Sequence, residues 1–149
     1  MAVRSAALRL ATSIVLVATA TYSGGCAIGT GPEIDTRAGL ACVDDSPECI
    51  NRRQTTLKSM VDDKNRGWVK EPPTPEAYAS GVRLFALKTK KKELTCDELA
   101  HGKREADAAR ASLANAGSRL THAQITRGNM LATEVGRELQ REMKARCKA

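Results

Sequence analysis

Residues 95–147, TCDELAHGKREADAARASLANAGSRLTHAQITRGNMLATEVGRELQREMKARC, decide the fold. The stretch holds two start signals of one kind. Thr95 is followed three residues later by Glu98, and Thr121 by Gln124. In that pattern the threonine hydroxyl accepts from the backbone N–H of the third helical residue, whose own side chain accepts from the threonine N–H. Behind the first signal Leu99, Ala106, Ala109 and Leu113 recur at helical spacing; behind the second, Ile125, Leu131, Ala132, Val135, Leu139 and Met143 do. The spacing predicts helices over about 96–116 and 122–146, with Gly117 and Ser118 breaking the chain between them. So short a connection makes the two helices antiparallel neighbours. The alanine-rich part, residues 106–116, suits close helix packing within the bundle or against a partner.

Upstream, similar start signals recur. Thr74-Pro75-Glu76 opens a helix whose inner face is Tyr78, Val82 and Phe85, with Leu84 and Leu87 beside them. It runs into the basic residues Lys88, Lys90, Lys91 and Lys92. Ser46-Pro47-Glu48 opens an earlier helix, with Ser46 as N-cap and Pro47 at the first helical position. Ile50, Leu57 and Val61, with Met60 alongside, form its stripe, and Gly67 predicts its end near Arg66. Trp68 and Val69 fold back over that end before Pro72 and Pro73 forbid more helix. No segment alternates apolar and polar residues as a strand does. The expected fold is all-α: a small disulfide-stapled bundle of about four helices over 46–149, ending in the antiparallel hairpin. A tether rich in Gly, Asp and Thr precedes it at 26–45.

The core is thin. Trp68, Tyr78 and Phe85 are the only aromatic residues after Cys26. Small exported domains with thin cores commonly use disulfides as staples. Cys96 opens the third predicted helix and Cys147 follows the fourth, so a bridge between them closes the open end of the hairpin. A loop of roughly 50 residues makes such a bridge worth about 4 kcal/mol in the chain-entropy model. Cys42 and Cys49 then pair with each other, fastening the tether to the first helix across Pro47. The crossed arrangement, Cys42 with Cys96 or Cys147, is the competing one. Neither the C-x₂₋₄-C spacing of a zinc site nor the C-x-x-C of a redox motif is present.

Cys26 is the cysteine left over. Arg4 and Arg9 precede an uncharged block, residues 10–22, and then comes Ser23-Gly24-Gly25-Cys26. A basic, then apolar, then small-residue order describes an export signal over residues 1–25. The block is shorter than the roughly 20 apolar residues that span a bilayer. Ser23-Gly24-Gly25-Cys26 resembles the modification site of bacterial lipoproteins, with Ser23 where that pattern prefers leucine. The resemblance covers residues 1–27 and implies cleavage between Gly25 and Cys26 with acylation of Cys26. Because Ala27, not aspartate, comes next, it implies an outer-membrane lipoprotein of the cell envelope facing the periplasm. Its helical module would then serve a structural, accessory or protein-binding role. Cleavage after Ala20 instead yields a soluble periplasmic binding or inhibitor protein.

The chain carries +7, and removing Arg4 and Arg9 with residues 1–25 lowers it to +5. Arg52, Arg53, Lys88, Lys90, Lys91 and Lys92 are the candidates for contact with anionic lipid headgroups or an acidic envelope protein. Nucleic acid is not an expected partner, since export removes the chain from it and no aromatic residues interleave the basic ones. His101 and His122 open consecutive antiparallel helices, which separates them by roughly 22 Å at 1.5 Å per residue. No metal, cofactor or catalytic constellation is expected: nucleophile-elbow, phosphate-loop and H-E-x-x-H patterns are all missing from the sequence.

Overall fold

The computed structural model describes residues 37–147, and every regular element among them is helical. The expectations for residues 1–25 and for Cys26 lie outside the described residues. The described α-helices are α1 (Pro47–Asp62), α2 (Pro75–Ser80), α3 (Val82–Lys90), α4 (Cys96–Ala114) and α5 (His122–Arg146).

α1 begins as its sequence dictates, with the Ser46 hydroxyl accepting from the Cys49 N–H at 3.2 Å. It stops at Asp62, short of the expected Arg66. The reason is local competition: the Asp63 carboxylate accepts from the Asn65 N–H at 2.9 Å, offering the backbone a turn instead of another helical bond. Arg66 then adopts a left-handed conformation (φ 51°), and a 3₁₀ turn, Gly67–Lys70, buries Trp68 and Val69. The Trp68 indole N–H donates to the Met60 carbonyl at 2.9 Å, satisfying one of the carbonyls that a helix end leaves open.

Of the expected stripe of α1, Met60 is buried and Leu57 packs against the core, but Cys49 and Thr56 are buried with them while Ile50 is 39% exposed. What turns the helix is the segment expected to be a tether. A 3₁₀ turn at Ala38–Leu40 lays Gly39 on α1, where its N–H donates to Thr56 Oγ1 at 3.0 Å. A Cβ on Gly39 would sit 2.5 Å from the Arg52 carbonyl oxygen, so only glycine permits this approach. Leu40 and Val43 pack against the core, and the Cys42–Cys49 bridge holds the segment down with its Cα atoms 5.3 Å apart. The packed part of the chain thus begins before residue 46.

The helix expected from Pro75 onward is two helices. Gly81, at φ 77°, closes α2 and starts α3, so helical phase does not carry across it. Val82, Arg83, Leu84, Ala86 and Leu87 turn inward, while Phe85, expected on the inner face, is 46% exposed.

α4 and α5 carry the two capping boxes in full: Thr95 with Glu98, and Thr121 with Gln124. Close approaches give their relative direction. Gly102 lies under Leu139, Ala106 beside Gly136, and Leu113 beside Gly128, so position rises along one helix as it falls along the other. The Cys96–Cys147 bridge, with Cα atoms 5.7 Å apart, joins the start of α4 to the residue after α5. With a sequence separation of 51 it is worth about 4 kcal/mol by chain entropy, against about 2.5 kcal/mol for the Cys42–Cys49 loop with its separation of 7. Leu84, Leu87, Leu94, Leu99, Leu113 and Leu139 are fully buried and form the centre of the core with Val69 and Val135.

Candidate functional site

Most of the basic residues singled out by sequence meet acids or carbonyls of the chain itself. Arg52 pairs with Glu48 one turn away. Arg53 donates to the carbonyls of Cys42 and Asp44 and meets Asp45, which makes it a clasp for the segment before α1. Lys88 bonds Glu134 on α5 at 2.6 Å, Lys91 bonds Glu138, and Lys90 bonds Glu93. Lys92 is exposed. Most of this positive charge is therefore paired within the molecule, and Lys88 and Lys91 tie the end of α3 to α5. His122 is exposed at the first position of α5, and His101 is half-buried on α4. Among the described residues no group of three His, Cys, Asp or Glu side chains is placed to hold a metal ion.

An ion pair that sequence reading missed lies in the core. The Arg83 guanidinium on α3 grips the Glu105 carboxylate on α4 through two bonds, of 2.6 and 2.9 Å. The same guanidinium donates to the carbonyls of Val69 and Glu71 and lies over the Trp68 ring, 5.9 Å from its centre. Burial pushes the Glu105 carboxyl up, and Arg83 pulls the other way. The Tyr78 hydroxyl donates to the Glu105 carbonyl at 3.3 Å, and burial drives its pKa up to about 12. This cluster joins α2, α3, α4 and the Trp68 turn, and its charges are matched within it. It ties these elements together, and its Trp68 and Arg83 also line a small cleft with Thr56, Met60 and Glu71. Its signal was available: Glu105 interrupts the apolar face of α4 beside Ala106, and Arg83 sits between Val82 and Leu84.

One concave feature that gathers exposed cations is an open groove of about 560 Å³ along the outer seam of α4 and α5. Ala106, Ala132 and Gly136 line it with small side chains. Lys103 and Arg110 enter it from α4; Arg137 and Arg141 enter it from α5. Lys103 pairs with Asp107, but Arg110, Arg137 and Arg141 are exposed and make no ion pair among the described residues. Asn129, at one end of the groove, keeps a buried side-chain oxygen without a hydrogen-bond partner.

Gly136 separates this groove from ordinary packing. A Cβ built there meets Ala106 Cβ at 3.5 Å and Asp107 Oδ1 at 3.7 Å, which are normal contacts. Glycine inside a helix costs about 1 kcal/mol relative to alanine. Nothing in the fold requires that cost at position 136. Sequence reading flagged the alanines of α4 as suited to a partner, but not the arginines facing them, because the register of α5 on α4 is a tertiary fact. Compared with protein families, with curated proteins and with solved structures, the chain matches none of them.

Proposed function

We propose that the chain is a cell-envelope lipoprotein whose helical module binds another protein. The observation that carries the anchoring half is the cysteine balance. Cys42 pairs with Cys49 and Cys96 with Cys147, which leaves Cys26 as the fifth cysteine, immediately after Gly24-Gly25 in the lipoprotein-like sequence. Acylation gives that cysteine a chemical purpose. Each buried CH₂ of an acyl chain contributes about 0.8 kcal/mol of membrane affinity, so several chains hold firmly. Ala27 favours the outer membrane, with the module in the periplasm, where disulfides persist.

The binding half rests on what the described residues do and do not bring together. The Arg83–Glu105 cluster is matched within the core, while the open, basic α4–α5 groove has a shape and charge suited to recognition. Mass spectrometry of the mature protein from cell envelopes tests the anchor. Diacyl or triacyl mass on an N-terminal Cys26 is expected; a free N-terminus at Thr21 would overturn the anchor and make the module a soluble periplasmic binder.

A further inference from the structure

We infer that the α4–α5 groove is the docking site for an acidic helical segment of a partner protein. This rests on the reading of the module as a protein-binding one and adds the site and the chemistry of the partner. Three features select that occupant. The first is shape. The lining runs from Asn129 to Arg141 along α5, twelve positions, or about 18 Å of helix. A lengthwise groove between two helices, floored by Ala106, Ala132 and Gly136, accepts a third helix at close range. A flat membrane surface does not reach such a floor.

The second feature is charge. Arg110, Arg137 and Arg141 make no ion pair among the described residues, and they stand on both walls. Arginine forks match carboxylates bidentately, so acids along both edges of an incoming helix complement them. The third is the buried Asn129 oxygen. It accepts a donor only if the Asn129 side chain turns toward the groove, and a polar side chain of the incoming helix supplies one. Gly136 then has a reason: alanine fits the fold and would strengthen the helix, but every added carbon narrows the floor.

The test uses the full chain in mild detergent, in both the natural form and Cys26→Ser, so that anchoring and docking are scored separately. The probe is a fluorescent sixteen-residue alanine-based helix with glutamates along both edges and a central glutamine, titrated by anisotropy. A lysine-for-glutamate peptide, phosphatidylglycerol vesicles and a single-stranded oligonucleotide are the comparators. The acidic helix is expected to bind both forms, more weakly as salt rises. Gly136→Leu, which fills the floor, and Arg141→Glu, which reverses one wall, should each weaken it by about tenfold or more. Arg104→Glu makes the same charge change on α4 outside the groove and should leave affinity within about twofold. Circular dichroism confirms that each variant is folded.

Failure to bind the acidic helix overturns the inference, as does equal loss in Arg104→Glu and Arg141→Glu. Binding untouched by Gly136→Leu places the partner elsewhere and sinks the groove while leaving a protein-binding role standing. Vesicles or oligonucleotide displacing the peptide from the groove would sink both. None of these results bears on the acylation of Cys26.

Discussion

Glu105 and Asp107 stand two residues apart on α4, and their side chains are 1% and 61% exposed. The first is locked to Arg83 in the core; the second meets Lys103 on the edge of the groove. α5 divides the same way. A Cβ on Gly128 would lie 2.9 Å from Leu113 Cδ1 and 3.2 Å from the Tyr78 carbonyl oxygen, whereas one on Gly136 meets nothing closer than 3.5 Å. The inner seam of this helix pair is written by packing. On the outer seam Ala106 and Ala132 still belong to the core, but a glycine at 136 and the exposed arginines are not required by its packing.

The comparison is broken most severely through the ion pair. Arg83→Met should destabilise the protein by about 3–5 kcal/mol, because it strands a buried carboxylate. Asp107→Ala should stay within about 0.5 kcal/mol. Urea unfolding of both variants checks the contrast; similar midpoints would erase the distinction between the seams. The glycines give a smaller effect of opposite sign. Gly128→Ala should cost about 1–2 kcal/mol after its helix-propensity gain, through crowding against Leu113 and the α2 backbone. Gly136→Ala should raise stability by about 0.5–1 kcal/mol. Thermal melts of the pair decide it, and a destabilised Gly136→Ala would mean that the outer seam is packed after all.

The smallest effect concerns acid. The hydrogen bond from Lys91, with the charges of Lys91 and Lys88, holds the Glu138 carboxyl below its ordinary 4.5. A carboxyl lowered by folding contributes stability that is present above its unfolded pKa and lost as pH falls through the folded one. Melting temperatures of Glu138→Gln should therefore fall less than those of the natural protein between pH 6 and pH 3. Parallel curves would show that the α3–α5 lysine bonds carry no net stability.

Helix starts were the most legible part of the chain. Ser46, Thr74, Thr95 and Thr121 each accept from the backbone N–H three residues on, because capping is settled by a few neighbouring residues. The Cys96–Cys147 bridge was legible from helix order and length, and Cys42–Cys49 only as the pair that then remained. Helix ends and inner faces were less so. The Asp63 turn and the left-handed Gly81 are single-residue decisions that periodicity averages over, and Gly81 is why Phe85 points outward. The burial of Thr56 depends on Gly39, seventeen positions earlier. Arg83 and Glu105 each stood out inside an apolar stretch, but their pairing, like the groove, depends on which helix lies against which, and no local pattern contains that.

The Cys96–Cys147 bridge has a mechanical consequence. Chain at one end and sulfur at the other make α4 and α5 the long sides of a closed frame, so they neither splay nor slide past each other. The width of the slot between them is set before anything enters it. An occupant spends none of its affinity on prising the walls apart or holding them in register. Reduction of this one bond would loosen the frame at its far end and leave the Cys42–Cys49 clasp on α1 in place.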